Sequence, residues 1–123
     1  MENVCYLEIE DVNPDGTLKP HVNLGKPMVV MAQGNFCGYC KQAAPDFQKF
    51  ASSQDIVLAG SIVIDGEPSE AKLGKMLSSW DKSYQGVPFY LGFNSNGQFV
   101  RSHKGNRDAN SITEFAKSIA GMK

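Results

Sequence analysis

The chain has 123 residues, of which 41% are hydrophobic and 20% charged, and its formal net charge is −1. This length and composition are those of one globular domain that can bury its own hydrophobic core without metals or disulfides. The basic residues are scattered, which argues against nucleic acid or a membrane surface as a partner, and no apolar run approaches the roughly 18 residues of a membrane span. Three cysteines are too few for a disulfide scaffold.

The N-terminal sequence Met1-Glu2-Asn3-Val4 has neither the basic region nor the long apolar region of a signal peptide. We therefore expect a cytoplasmic protein. The alternative is a periplasmic or secreted domain whose signal peptide was removed, since such a chain would look the same behind a start methionine.

Residues 1–26 are predicted to hold one strand followed by an irregular segment. Residues 4–9 alternate as a strand does, and this pattern places Cys5 in the core as a small apolar side chain. Residues 13–16, Asn-Pro-Asp-Gly, are typical of a turn. Residues 17–26 leave room for one helical turn at most, because a proline and a glycine interrupt them.

The middle of the chain carries the most informative pattern. Residues 27–32 predict a buried strand, being mostly apolar and partly β-branched. Residues 41–52 predict a helix, with small and aromatic apolar residues at helical spacing. Cys37-Gly38-Tyr39-Cys40 lies between them, so two cysteines three residues apart open a helix just beyond a strand. This layout is typical of a redox-active cysteine pair.

The second half of the chain predicts a strand, a helix and a β-hairpin. Residues 56–64 are nearly all apolar, as in a strand covered on both faces. Residues 70–80 place apolar side chains at the spacing of an amphipathic helix. Residues 89–93 and 98–102 flank an Asn-Gly turn, which is the pattern of a hairpin.

A last helix is predicted to begin at Ser111, which would form a capping box with Glu114. Strands joined through helices are expected to run parallel, and the hairpin adds an antiparallel pair. The predicted fold class is therefore α/β, with a mixed central sheet of four to five strands and helices on both faces. The cysteine pair would lie at the carboxyl end of a parallel strand, where such sheets bind ligands.

Four features in register resemble the thioredoxin-fold family. They are the strand before Cys37-Gly38-Tyr39-Cys40, Pro45 within the following helix, Gly86-Val87-Pro88 before the hairpin, and the glycine of the hairpin turn. The resemblance covers residues 27–121 and implies one thioredoxin-like domain over residues 1–123. It also implies that the bond before Pro88 is cis and that Pro88 faces the cysteine pair.

The resemblance implies a thiol–disulfide oxidoreductase with Cys37 and Cys40 as its catalytic residues. Cys37 lies at the start of a helix, where free N–H groups and the helix dipole stabilise a thiolate, so it is expected to be the exposed nucleophile. Cys40, one turn further in, would resolve the mixed disulfide with the substrate. The direction, as reductase, oxidase or isomerase, stays open.

Five further residues are predicted to bind the substrate: Phe36, Gly38, Tyr39, Val87 and Pro88. The apolar side chains would hold unfolded segments or loops, and the exposed backbone of Val87 would pair with an extended substrate segment. We expect protein disulfides as substrates, a reductase or other redox partner, a monomeric chain and no cofactor.

Two positions depart from the thioredoxin pattern. Met31 and Ser61 stand where the family commonly has a buried Asp and a buried Lys, so proton transfer at Cys40 must use water or another group. Tyr39 replaces the proline usual between the cysteines, which predicts a more oxidising pair than that of thioredoxin.

A glutaredoxin-like protein that binds glutathione or an iron–sulfur cluster is the alternative function. Residues 105–108 match the glutathione signature of that group poorly. A structural zinc site would need four ligands, and Cys5, His21 and His103 are not at the spacing of a zinc motif. We therefore predict no metal.

Overall fold

The computed structural model describes residues 1–122 and contains one five-stranded sheet. The order of the strands across the sheet is β1-β3-β2-β4-β5, with β2 parallel to β3 and antiparallel to β4. The mixed α/β sheet predicted from the sequence is therefore confirmed. The strands are β1 (Cys5–Tyr6), β2 (Met28–Gln33), β3 (Leu58–Val63), β4 (Phe89–Phe93) and β5 (Phe99–His103).

Helices cover both faces of the sheet. Since side chains alternate along a strand, Val29 and Met31 of β2 face α2 and α5, whereas Met28 and Val30 face α1, α3 and α4. No helix within residues 1–122 is both long and apolar enough to cross a membrane. The helices are α1 (Pro20–Asn23), α2 (Gly38–Ser53), α3 (Pro68–Gly74), α4 (Leu77–Trp80) and α5 (Ala109–Ala120).

The first strand is much shorter than the alternation at residues 4–9 predicts. After β1 the chain turns into a 3-10 helix, Ile9–Asp11, which reciprocal hydrogen bonds between Glu8 and Asp11 hold in place. The predicted core position of Cys5 is wrong, because β1 is an edge strand that pairs with β3 alone and leaves Cys5 exposed.

The single helix predicted at residues 70–80 is two short helices. The first of them, α3, begins before the predicted start, at Pro68, where Glu67 and Glu70 form a capping box. It then ends at Gly74, which packs so closely on Ile64 that a Cβ there would lie 3.0 Å from a side-chain carbon. The break lets the chain start α4 in a new direction.

We expected strands joined through helices to run parallel. The strand β4, which follows α3 and α4, instead runs antiparallel to β2. The connection through α3 and α4 brings the chain back to the end of the sheet at which β2 finishes, so that Phe89 pairs with Ala32. As a result, Val87 and Pro88 lie beside the segment that follows β2, which carries the cysteine pair.

The last helix begins at Ala109, two residues before the predicted start. Its N-cap is Asp108, whose carboxylate accepts hydrogen bonds from the Ser111 backbone N at 3.1 Å and the Ser111 hydroxyl at 2.7 Å. The predicted capping box of Ser111 and Glu114 is therefore wrong. A carboxylate at this place also interacts favourably with the helix dipole, which a serine cap does not.

Candidate active site

Cys37 is the N-cap residue of α2, just beyond the end of β2. Its Sγ accepts a hydrogen bond from the backbone N of Cys40 at 3.1 Å. The N–H groups of a first helical turn have no partner within the helix, and the helix dipole favours negative charge at this end. The local geometry therefore places a backbone hydrogen-bond donor and the N-terminal end of a helix dipole at the Cys37 sulfur.

Both sulfurs belong to the hydrophobic core between the sheet and α2. Cys37 is 7% exposed and Cys40 is 1% exposed, and both are free thiols. The expectation of an exposed Cys37 thus needs correction, because the loop before β4 covers much of it. Cys40 is the more buried of the two.

Val87 and Pro88 form the wall opposite Cys37. The bond between them is cis, as predicted, and the Cys37 thiol lies 3.5 Å from the carbonyl oxygen of Val87. Pro88 is buried and Val87 is half-buried. The structure therefore brings these two predicted residues to the cysteine that they were expected to face.

Phe36 and Tyr39 project from the same surface. They are 71% and 68% exposed, which is unusual for large aromatic side chains in this protein. The Phe36 ring lies over Gly34, where a Cβ would come within 2.5 Å of a ring carbon. Gly38, between the cysteines, is exposed and has no neighbour that a side chain would meet.

A groove of about 530 Å³ continues from this wall. Its far side carries two cationic side chains, Lys104 and Arg107, which come from the segment at the end of β5 and before α5. Both side chains are exposed, and Lys104 forms an ion pair with Asp81 at 3.6 Å. The groove is lined by Ser83, Gln85, Gly86, Val87, Pro88, Phe89, Lys104 and Arg107.

The surroundings of Cys40 oppose its ionisation. The pKa of Cys40 is raised to about 12, chiefly by burial and also by the hydrogen bond with Cys37 and the charge of that residue. The Gly34 backbone and the positive charge of Arg107 act in the opposite direction and lower the pKa. Cys40 therefore keeps its proton at neutral pH.

Met31 and Ser61 provide a polar but uncharged contact in the core. The Ser61 hydroxyl donates a hydrogen bond to the Met31 carbonyl oxygen at 2.9 Å, and it accepts one from the Gln33 amide at 2.6 Å. These bonds satisfy the buried hydroxyl between two strands. The pair contains no group that could take a proton from Cys40.

Several residues of this site were missed at the level of sequence. Arg107, Tyr84 and Tyr90 interact electrostatically with Cys40 from the loops and strand around it, and Asp65 hydrogen-bonds the loop that leads to Cys37. Tyr90 could have been recognised from the sequence, because the alternation of side chains along residues 89–93 places its polar side chain on a buried face of the strand. The others are distant in sequence and match no motif.

The residues considered as metal ligands lie apart from one another. His21 pairs with Asp11 at 3.0 Å, and the His103 ring hydrogen-bonds the Asn106 carbonyl oxygen at 2.7 Å. Within the part of the chain that the structure describes, no three His, Cys, Asp or Glu side chains are grouped as metal ligands would be.

Comparison with known proteins gives relatives of two kinds, although no family model matches the sequence. A protein disulfide-isomerase from Medicago sativa is 28% identical over 115 residues, which is 94% of this chain and 21% of that protein. A putative thioredoxin-like protein, 453L, from Invertebrate iridescent virus 6 is 26% identical over 125 residues, which is 91% of each chain. The chain thus spans about a fifth of the length of the disulfide isomerase.

Solved structures are similar over nearly the whole chain. Thioredoxin f from spinach chloroplast superposes with a TM-score of 0.69 at 21% identity, covering 95% of this chain and 93% of that structure. At this identity the likeness concerns the fold alone.

Proposed function

We propose that this chain, a thioredoxin-fold protein homologous to protein disulfide-isomerases and thioredoxin-like proteins, exchanges disulfides with protein substrates through Cys37 and Cys40. The predicted fold is confirmed by the structural likeness, and the relatives support the predicted class of thiol–disulfide oxidoreductase. Nothing in the comparisons favours the glutaredoxin-like alternative. The observation that carries the proposal is the hydrogen bond from the Cys40 backbone to the Cys37 sulfur at the start of α2.

The first step is attack of the Cys37 thiolate on one sulfur of the substrate disulfide. A bond forms between the Cys37 sulfur and that sulfur, the disulfide of the substrate breaks, and the leaving thiolate takes a proton from water. The N–H groups of the first turn of α2 hold the charge of Cys37 before the attack.

The second step releases the substrate. Cys40 gives its proton to solvent, and its thiolate attacks the Cys37 sulfur of the mixed disulfide. The Cys37–Cys40 bond forms, and the substrate leaves as a thiolate that is then protonated. The raised pKa of Cys40 makes its deprotonation the harder part of this step. Oxidation of a substrate dithiol is the reverse sequence.

Substrate binding is proposed to use the backbone of Val87 and the exposed aromatic side chains of Phe36 and Tyr39. The Val87 carbonyl, which faces the Cys37 thiol in the free protein, would accept a hydrogen bond from an extended substrate segment. Phe36 and Tyr39 offer apolar area on the same surface. Backbone pairing and apolar contact select for accessible disulfides more than for a particular sequence.

Three single substitutions test the mechanism by reduction of insulin with dithiothreitol as electron donor. Cys37→Ser should abolish activity, and Cys40→Ser should accumulate a mixed disulfide through Cys37 that mass spectrometry detects. Cys5→Ser is the matched control and should retain activity, because Cys5 lies on the outer edge strand. Full activity of Cys37→Ser would refute the proposal.

The redox partner is tested separately. Insulin reduction is driven by thioredoxin reductase with NADPH in one set of samples and by glutathione in another. We expect the wild-type protein to work with one donor at least tenfold faster than with the other. Equal rates with both donors would contradict a dedicated partner but leave the cysteine chemistry intact.

A further inference from the structure

The Tyr90 hydroxyl is buried without a hydrogen-bond partner. It is the one buried side-chain oxygen or nitrogen of this kind within residues 1–122, and Tyr90 as a whole is 2% exposed. Buried polar groups are nearly always paired, since an unpaired group loses its hydrogen bonds with water and gains none in return. An unpaired hydroxyl in a core therefore requires a functional explanation.

Tyr90 belongs to the core that contains both reactive cysteines. It lies on β4 opposite Met31 of β2, and its ring packs between Phe47 of α2 and His103 of β5, with ring centroids 6.0 Å away in each case. His103 is not its partner, since Nε2 of the imidazole is bonded to the Asn106 carbonyl oxygen and no hydrogen bond joins the ring to the Tyr90 hydroxyl. The Tyr90 ring is thus held firmly, while its hydroxyl stays unpaired.

The charged groups around this hydroxyl come from three elements. The pKa of Tyr90 is raised to about 12, chiefly by burial; the charge of Arg107 before α5 lowers this pKa, and the charges of Cys40 and Asp46 on α2 raise it. Cys40 in turn interacts with Cys37 and Arg107, and with Tyr84 in the loop before β4. Tyr90 therefore remains a protonated hydrogen-bond donor throughout the neutral range.

We infer that Tyr90 is a positioning residue for Cys40, whose thiolate accepts a hydrogen bond from the Tyr90 hydroxyl, either directly or through one water. The inference rests on the proposed function. The Cys40 proton still goes to solvent, the Cys40 sulfur still attacks Cys37, and the Tyr90 proton stays on its oxygen. Tyr90 stabilises the charge that Cys40 carries between these two events.

This role explains why the hydroxyl is unpaired in the free protein. A protonated thiol is a weak hydrogen-bond acceptor, whereas a thiolate is a strong one, and hydrogen bonds to charged groups are about twice as strong as neutral ones. The donor is thus satisfied only in the state that the reaction must reach. Met31 and Ser61 supply no charged group on the same face, which leaves Tyr90 as the polar side chain directed into this core.

The first test measures the Cys40 thiol without any activity. In a background with Cys5→Ser and Cys37→Ala, Cys40 is the one remaining cysteine, and its rate of alkylation by iodoacetamide against pH reports its pKa. Tyr90→Phe should raise this pKa by about one unit, which is a tenfold loss of thiolate at a given pH. Tyr6→Phe is the matched control, since Tyr6 lies on the edge strand β1, where its hydroxyl accepts a hydrogen bond from the Met1 amino group, and it should leave the pKa unchanged.

The second test uses the protein with all its cysteines. A mixed disulfide of Cys37 with a dye-labelled peptide is formed, and release of the peptide is followed between pH 6 and 9. Tyr90→Phe should slow release about tenfold at pH 7 and should not change the rate at which Cys37 first attacks the peptide disulfide. A merely structural role of Tyr90 would not separate these two rates.

The outcomes distinguish the two proposals. If Tyr90→Phe leaves the Cys40 pKa within about 0.3 units and the release rate within twofold of the reference, or if Tyr6→Phe changes them equally, the role of Tyr90 is refuted. If the peptide never becomes attached to Cys37, the proposed function fails instead, and the alkylation result still reports on Tyr90. Tyr90→Phe keeps the ring and removes the unpaired hydroxyl, so its denaturation midpoint should equal or exceed that of the wild type.

Discussion

Asp65 accepts a hydrogen bond of 2.8 Å, through Oδ1, from the backbone N of Asn35. The two residues lie in separate loops, after β3 and after β2, at the same end of the sheet. The backbone N of Ile64 also donates to the Gln33 carbonyl oxygen at 2.9 Å, so these loops run side by side. Asp65 therefore holds the segment that leads to Cys37.

Loss of this contact should loosen the approach to the site. We expect Asp65→Ala to lower the free energy of unfolding by about 1 kcal/mol, the usual net contribution of one hydrogen bond. Asp65→Asn keeps an acceptor oxygen at the same place and should retain most of the stability. Denaturant unfolding of the three proteins decides the matter, and equal midpoints for Asp65→Ala and the wild type would show that the bond contributes nothing.

Elements determined by local sequence could be predicted, whereas those determined by distant contacts could not. The strand β2, the turn at Gly16 and the hairpin with its Asn-Gly turn occur where their patterns place them, because turn residues and alternation act within a few positions. The length of β1 depends on its place at the sheet edge. The direction of β4 depends on how α3 and α4 pack on the sheet.

The same distinction applies to the candidate site. The cysteine pair and Pro88 belong to motifs that a resemblance identifies, and the structure places them together. Arg107 and Asp65 affect the site because the fold brings them near it. No motif in the sequence indicates that proximity. The low exposure of Cys37 has the same origin, since the loop that covers it is 50 residues further along the chain.

Arg107 should favour the release of substrate. Its positive charge lowers the pKa of Cys40, so Arg107→Gln should raise that pKa and lengthen the lifetime of the mixed disulfide. Arg107 is exposed, and screened charges of this kind contribute about 0.2–1 kcal/mol, which corresponds to about a 1.4-fold to fivefold slower release. Arg107→Lys should restore the rate, because it keeps the charge. An Arg107→Lys protein as slow as Arg107→Gln would show that the shape of the side chain matters and not its charge.

Gly92 of β4 packs tightly against side chains of α5. A Cβ at this position would lie 2.9 Å from the Phe115 ring and 3.0 Å from the Ile119 side chain, both of which are in the core. Gly92→Ala should therefore lower the free energy of unfolding by about 1–3 kcal/mol, as overpacking of a core does. Gly121→Ala is the control, since a Cβ there meets nothing within 4 Å and the change should be close to neutral. Thermal unfolding of both variants tests the comparison.

Stability of the reduced protein should fall in alkaline solution. The pKa of Cys40 is raised to about 12 from a reference of 9.0, so above pH 9 the unfolded chain loses this proton while the folded chain keeps it. The unfolded state then binds fewer protons, and the free energy of unfolding decreases as the pH rises. Tyr90, with its pKa raised to about 12, adds to the loss above pH 10.

Denaturant midpoints at pH 7, 9 and 10.5 measure this effect. Wild-type reduced protein should lose stability between pH 9 and 10.5, and Cys40→Ala should lose distinctly less because one of the two buried acids is gone. Parallel curves for the two proteins would show that Cys40 ionises as easily in the folded state as in the unfolded one.

The Cys37–Cys40 pair should be a stronger oxidant than the pair of thioredoxin. The Cys40 N–H bond to the Cys37 sulfur stabilises the reduced form, and Tyr39 leaves the first turn of α2 with one N–H group more than a proline would. Stabilising the reduced form raises the reduction potential, so we expect roughly −240 to −180 mV against about −270 mV for thioredoxin. Equilibration with glutathione buffers and counting of alkylated thiols gives the value.

Substitution of Tyr39 separates the backbone effect from the side chain. Tyr39→Pro removes the N–H group at a position in the first turn where proline is tolerated, and it should lower the potential by about 30 mV, equivalent to about 1.4 kcal/mol. Tyr39→Ala removes the exposed ring but keeps the N–H group, so its potential should stay at the wild-type value. A wild-type potential at or below about −270 mV, or a higher potential in Tyr39→Pro, would mean that the helix N-terminus does not control the redox balance of this site.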